Sequence, residues 1–225
     1  MDMRKKIALG IPTVSNRSEN MLLKSVTSLL EHLDDEDKEL CTIVILDANV
    51  QAENSDHVMA VRQKYSAEIA DSLLVILKTS EDDYPDLPIE AGDGYSRWMA
   101  KQTIDFSLML EQCALFGDYV IQLDDDIQAA PNFLKRILND ISYFRYFDWI
   151  TYRACSLGTI GVTFKSADVP QHVQYLRDNY LAEPVDWLQD KYVQQQCEQG
   201  RFHFITPRSL FLHIGLESTS DAATK

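Results

Sequence analysis

Residues 118–127, DYVIQLDDDI, decide the fold. The first six positions, 118–123, have the composition of a strand, and they run without a break into Asp124, Asp125 and Asp126. Three adjacent carboxylates at the end of a buried strand are costly, because like charges repel at a few ångströms and burial disfavours the charged form. A bound cation removes that cost. Hard oxygen ligands suit Mg²⁺ or Mn²⁺, which keep positions open for phosphate oxygens, and the carboxyl end of a strand is where an α/β sheet holds its ligands. The alternative use of the same residues is as solvated caps for the helix that follows Pro131.

Working outward, the segments alternate between strand and helix. Residues 6–13, KIALGIPT, have strand composition, and residues 19–33 then turn helical, with Leu22, Val26, Leu29, Leu30 and Leu33 on one face. Residues 41–46 form a nearly all-apolar run, the pattern of a strand covered on both faces, which ends at Asp47. A helix is expected around 54–70 and a strand at 73–77, completing two βα units that argue for a mostly parallel central sheet flanked by helices. Residues 78–95 hold Pro85, Pro88, Gly92 and Gly94 among acidic residues and read as a long surface loop. Residues 96–116 are helical, with Phe106, Met109, Leu110 and Cys113 on one face and Arg97, Lys101 and Asp105 on another. Beyond the triplet, helices are expected at about 131–147, 168–179 and 185–199, and short strands at 149–153, 159–164, 202–205 and 210–213. With no internal repeat or linker, residues 1–225 read as one α/β domain.

Composition narrows the partners. Against 35 Asp+Glu stand 21 Lys+Arg, a net charge of −14, which disfavours nucleic acid because phosphate contacts need clustered cations. An acidic protein that handles a small phosphate compound needs a divalent cation between its carboxylates and the phosphate oxygens. No membrane segment is apparent, so the chain reads as soluble as written, and cytoplasmic if complete. Cys41, Cys113, Cys155 and Cys197 have no metal-site spacing, and disulfides among them stay open.

Several stretches together carry a family resemblance. YPDL at 84–87, RWMAKQTID at 97–105 and YVIQLDDDI at 119–127 resemble the catalytic domain of the alpha-1,3-mannosyl-glycoprotein 4-beta-N-acetylglucosaminyltransferases. GIPTV at 10–14, SLGTIGVTF at 156–164, PVDWLQD at 184–190 and SLFLHIGL at 209–216 are similar to that family's flanking motifs, in the same order over nearly the whole chain. The chain departs from the family in opening its triplet with Asp124 rather than glutamate. The resemblance implies a GT-A fold, with 1–127 as the nucleotide-sugar-binding half and 128–225 as the acceptor-side half. It also implies a UDP-GlcNAc donor, Mn²⁺ (or Mg²⁺), and inverting transfer of GlcNAc to a mannose hydroxyl of an N-glycan-like oligosaccharide or glycoprotein, with a β1-4 linkage. Family members usually carry a membrane anchor, so a Golgi lumen location is implied if this is an excised core. The competing readings are a GT-A enzyme using another UDP-sugar or acceptor, and a non-catalytic sugar- or cation-binding protein.

Combining the family pattern with the chemistry assigns the residues. Asp126 is expected to bind the metal, Asp125 to face the ribose hydroxyls or a water on the metal, and Asp124 to contact the nucleotide or support from behind. His213, ending SLFLH, resembles the family's late histidine and would complete the metal shell or touch the diphosphate; its other use is as a core histidine. Inversion needs a base opposite the leaving group, and Asp186 is the choice, beside Trp187, whose face would stack on a sugar. Asp190, one helical turn on, is the alternative base, and Asp186 as a helix cap is the other use of that residue. Arg97 and Lys101 would bring positive charge to the nucleotide, unless Lys101 is spent on Asp105. Pro12, Thr13, Val14 and Asp47 lie just past strands, at the edge where a uracil and ribose would lodge.

Overall fold

The computed structural model describes residues 5–14, 19–50, 55–86 and 93–215. Asn54, residues 87–92 of the expected surface loop and Leu216 of the closing motif therefore lie outside the described residues.

Strand β1 (Lys5–Thr13) alternates: Ile7, Leu9 and Ile11 enter one core and Ala8 the other. Helix α1 (Met21–Glu31) starts where Asn20 Oδ1 accepts the Leu23 N–H at 2.9 Å, and it buries Leu22, Val26 and Leu29 against the Ile7 face. A short helix α2 (Asp35–Leu40) follows that the periodicity did not announce. Its signal is local, since Asp34 and Asp37 close a reciprocal cap around its first turn. Strand β2 (Cys41–Asp47) is buried at every position, as its apolar run requires.

The helix expected over 54–70 is two helices, α3 (Asp56–Lys64) and α4 (Ser66–Ala70). They part at Tyr65, whose backbone leaves the helical region (φ −115°, ψ 38°) while its hydroxyl bonds Thr27 Oγ1 of α1 at 2.6 Å. Strand β3 (Leu74–Lys78) comes next, and the 23-residue helix α5 (Gly94–Phe116) leads into strand β4 (Gly117–Gln122). Phe106, Met109, Leu110 and Cys113 are the buried face of α5, as the spacing predicts. At Gly10 an added Cβ would stand 2.0 Å from Met109 Sδ and 2.7 Å from Cys113 Sγ, so α5 lies directly on β1 only because that position has no side chain.

After the triplet come β5 (Ile127–Ala129), α6 (Phe133–Phe144), β6 (Trp149–Arg153) and β7 (Val162–Lys165). The chain closes with α7 (Val169–Asn179), α8 (Val185–Glu198), β8 (Phe202–Ile205) and β9 (Phe211–His213). The strand expected from 159 begins only at Val162, because Gly161 turns the chain at φ 70°. The strand at the end of the chain does not join the main sheet. It pairs antiparallel with β5, immediately past the triplet.

Among the described residues the main sheet has seven strands, in the order β3-β2-β1-β4-β7-β6-β8. Strands β3, β2, β1 and β4 are parallel, β7 is antiparallel to both β4 and β6, and β8 is parallel to β6. Helices α1, α3 and α6 cover one face, and α5, α7 and α8 the other. The chain leaves β1 toward β2 and β3, then returns to place β4 on the other side of β1. That reversal opens a crevice between the carboxyl ends of β1 and β4, the position where open α/β sheets bind ligands.

All four cysteines are free thiols, with Cys41, Cys113 and Cys155 buried. Among the described residues no helix is long and apolar enough to cross a membrane.

Candidate active site

The crevice between β1 and β4 contains an open pocket. Pro12, Thr13 and Val14 line it from the end of β1, Asp124 and Asp125 from the end of β4, and Trp98, Lys101 and Gln102 from the first turns of α5. Six of the residues proposed from sequence thus share one wall. Register explains the meeting. The parallel pairing of β1 with β4 aligns Gly10 with Gln122, and three residues further on each segment Thr13 meets Asp125.

Each aspartate of the triplet is held differently. Asp125 Oδ2 accepts the Thr13 hydroxyl at 2.6 Å, and its backbone carbonyl accepts the Ser25 hydroxyl at 2.9 Å. Asp124 Oδ1 accepts the Thr159 hydroxyl at 2.6 Å. Asp126 is fully buried, and His213 Nε2 lies 3.0 Å from its Oδ2. The pairing of β5 with β9 makes that contact, by setting Ile127 opposite His213. The triplet does not cap the next helix. Strand β5 intervenes, and Asn132, not an aspartate, precedes α6.

Lys101 is committed inside the protein. Its ammonium donates to Asp105 Oδ2 at 2.8 Å, Asp105 Oδ1 at 2.9 Å and the Ala48 carbonyl at 2.8 Å. Tyr84 donates its hydroxyl to the same carboxylate at 2.6 Å. Burial pushes the Asp105 carboxyl above the usual carboxylate range, and Lys101 and Tyr84 act against that shift. Arg97, one turn earlier on α5, is exposed and is not among the pocket's lining residues. Asp47 sits beside Thr13 in the sheet but is buried and turned to its neighbours: Asn49 Nδ2 donates to it at 2.6 Å, and Lys78 Nζ stands 3.5 Å away. It too is absent from the pocket wall.

Asp186 lies in the first turn of α8, half-buried, where the helix dipole favours a carboxylate. Pro184, not Asp186, occupies the cap position. Trp187 next to it is 60% exposed, an available aromatic face. The helix is tied to the end of β4 by a reciprocal buried amide pair. Gln189 Nε2 donates to Gln122 Oε1 at 2.7 Å, and Gln122 Nε2 donates to Gln189 Oε1 at 3.2 Å. Asp190 is ion-paired to Arg153.

The metal candidates amount to one carboxylate and one imidazole, Asp126 and His213. Among the described residues no group of three His, Cys, Asp or Glu side chains is placed to hold an ion. A mixed oxygen and nitrogen pair fits Mn²⁺ better than a closed cage would, because substrate oxygens and water must fill the remaining positions.

The family model described as the MGAT4 conserved region matches residues 1–225. The chain belongs to the MGAT4 family. It is 30% identical over 233 residues to alpha-1,3-mannosyl-glycoprotein 4-beta-N-acetylglucosaminyltransferase A of Xenopus tropicalis, covering 95% of this chain and 43% of that protein. Identity is again 30% with the B enzyme of Danio rerio, covering 95% of this chain and 42% of that protein. This MGAT4 chain thus spans about two fifths of the length of the curated relatives it matches. Its fold is similar to that of 4-diphosphocytidyl-2C-methyl-D-erythritol synthase from Anaerococcus prevotii, with a TM-score of 0.55 at 10% identity, covering 98% of this chain and 95% of that one.

Sequence reasoning missed Thr159, Gln122, Gln189, Ser25 and Arg153 as supports of the site. Thr159, Gln122 and Gln189 stood inside the quoted SLGTIGVTF, YVIQLDDDI and PVDWLQD motifs, as Trp98, Gln102 and Asp105 did inside RWMAKQTID, so a signal was present for those six. Ser25 and Arg153 lie outside every quoted motif, and only the fold brings them to the site.

Proposed function

We propose that this MGAT4 chain is an inverting, metal-dependent glycosyltransferase of the GT-A type. In this reading it transfers N-acetylglucosamine from UDP-GlcNAc to a mannose hydroxyl of an N-glycan-like acceptor, forming a β1-4 bond. The observation that carries the reading is the sharing of one wall by Thr13, Asp124 and Asp125 at the β1/β4 crevice, with the Asp126–His213 pair on the same acidic turn. The relatives named for this transfer support the choice of sugar and linkage.

Asp126 and His213 would hold the cation, Mn²⁺ or Mg²⁺. When bound, it supplies Lewis-acid stabilisation of the charge that builds on the departing diphosphate, worth several kcal/mol. Asp125, fixed by Thr13, faces the ribose hydroxyls, and Asp124, fixed by Thr159, takes the nucleotide side of the same wall. Pro12 and Val14 offer apolar edges to the base. Lys101 contributes shape rather than charge, because Asp105 neutralises it.

Asp186 accepts the proton of the acceptor hydroxyl as the new C1–O bond forms and the bond to the diphosphate breaks, which inverts the anomeric carbon. Asp186 makes no hydrogen bond or ion pair among the described residues, which leaves its carboxylate available for that proton, and Trp187 offers a face for the acceptor sugar.

The test is Asp186→Asn, assayed for UDP release with a defined biantennary glycan and for UDP uptake by calorimetry with Mn²⁺. Transfer falls by about 10²–10⁴-fold, the range of a positioned general base, and manganese-assisted UDP binding is unchanged. Full transfer in the variant removes Asp186 from its role. A wild-type chain that prefers UDP-galactose or UDP-glucose defeats the donor assignment.

A further inference from the structure

The loop between β6 and β7, residues 154–161, touches the acidic triplet, yet no part of the reaction scheme above explains how it is held. Thr159 delivers its hydroxyl to Asp124 from this loop. Two consecutive residues of α8 grip it. Gln189 pairs with Gln122, which also donates to the Thr159 carbonyl at 3.1 Å. Asp190 pairs with Arg153, whose Nη1 donates to the Gly158 carbonyl at 3.4 Å.

The two partners of the ion pair sit very differently. Arg153's side chain is only 10% exposed, whereas that of Asp190 is 63% exposed. The guanidinium Nε has no acceptor among the described residues, so the Asp190 carboxylate and the Gly158 carbonyl are its two hydrogen-bond partners. Removing a carboxylate from a buried cation leaves an uncompensated charge, and the cation then moves toward water. That movement would release Gly158, which turns the loop at φ 47° just before Thr159. A carboxylate engaged in this way is also a poor candidate for the base that Asp186 supplies.

We propose that Asp190 is a positioning residue: through Arg153 it latches the loop 154–161, and through Thr159 it sets the carboxylate of Asp124 on the nucleotide wall. In its effect on the donor this inference rests on the transferase reading; in its effect on the loop it does not. The same helix would then carry the base at Asp186 and the two grips at Gln189 and Asp190, so the acceptor side and the donor side are registered by one rigid element.

The test compares Asp190→Asn, Arg153→Lys, Thr159→Val and Thr159→Ser. Hydrogen exchange of the 154–161 amides rises about tenfold or more in Asp190→Asn and Arg153→Lys, with α5 amides unchanged. Asp190→Asn and Thr159→Val each weaken manganese-assisted UDP binding about tenfold, the loss of one hydrogen bond to a charged group. The double variant is no weaker than the worse single, because both act on one chain of contacts, and Thr159→Ser, which keeps the hydroxyl, binds as wild type. Donor KM rises while kcat holds. The latch is overturned if loop exchange is unchanged in Asp190→Asn, if the two effects multiply, or if transfer is abolished with UDP binding intact, which would make Asp190 the base. If Asp190→Asn does not fold, Arg153→Lys and the Thr159 pair decide alone. A wild-type chain that takes up no UDP defeats the transferase reading, and loop exchange still decides the latch.

Discussion

Two acid–base pairs stand at the site, one on the pocket wall and one made by the triplet's own Asp126, and they are built in opposite ways. Lys101 and Asp105 stand one helical turn apart on α5, and Tyr84 and the Ala48 carbonyl complete a closed set of hydrogen bonds. Asp126 and His213 come from distant parts of the chain, meet through the β5–β9 pairing, and leave the imidazole side chain 37% exposed. The first pair spends its cation internally, so it stabilises the pocket wall without charging it. The second leaves a carboxylate and a partly exposed imidazole just past the end of β4. The lesson concerns Lys101: a lysine that lines the pocket wall is already neutralised by its neighbour, so on the reading proposed above the charge that meets a diphosphate comes from an ion.

The largest effect is expected at the second pair. Asp126→Asn lowers transfer by about 10³-fold, roughly 4 kcal/mol of lost stabilisation of the leaving group. Calorimetry should find manganese-assisted UDP uptake gone while the fold, followed by circular dichroism, persists. Unchanged uptake would erase the distinction between the two pairs.

Lys101→Ala tests the closed pair. Because it strands a buried carboxylate, it costs about 3 kcal/mol of stability in a urea titration, with UDP affinity in the folded protein altered little. The reverse pattern, intact stability with a hundredfold loss of UDP affinity, would make Lys101 a phosphate ligand after all.

A third basic residue, His172, sharpens the contrast because it has no acid partner among the described residues. It is fully buried between the Phe164 and Tyr192 rings, and burial pulls its pKa down to about 3. Between that value and the ordinary 6.5 the unfolded chain binds the proton and the folded chain does not, so stability rises with pH across this window. Its contribution is complete above about pH 6.5 and shrinks as pH falls toward 3, by about 2 kcal/mol at pH 5. In His172→Phe the melting temperature should lose that acid slope. An unaltered slope would assign acid sensitivity to other groups.

The smallest effect concerns the hydrogen bond that aims the triplet. Thr13→Val removes the donor to Asp125 and should weaken UDP binding about tenfold, near 1.4 kcal/mol. No change would leave Thr13 as a strand end and nothing more.

Much of this was legible in the chain because the relevant signals are short-ranged. The nearly all-apolar β2, the buried face of α5, and the carboxylates placed just after β4 all follow from periods of two or 3.6 and from abrupt composition changes. Where the reading failed, the cause was an interaction across the fold. Tyr65 breaks one expected helix, its hydroxyl anchored to Thr27 of α1. The short helix α2 is the exception, since its Asp34–Asp37 cap was present in the local sequence.

The sequence by itself determined the α/β class, the three carboxylates at a strand end, and membership of a family whose motifs follow in order along the chain. Only the tertiary structure decided which partner each charged group meets. It gave Asp126 to His213, Lys101 to Asp105, and Asp190 to Arg153, while Asp186 stayed in the first turn of α8 with Trp187 exposed beside it. The reason is physical. An electrostatic partner is set by distance in space, which strand order and register fix, and two of these three partnerships join residues that no local period relates.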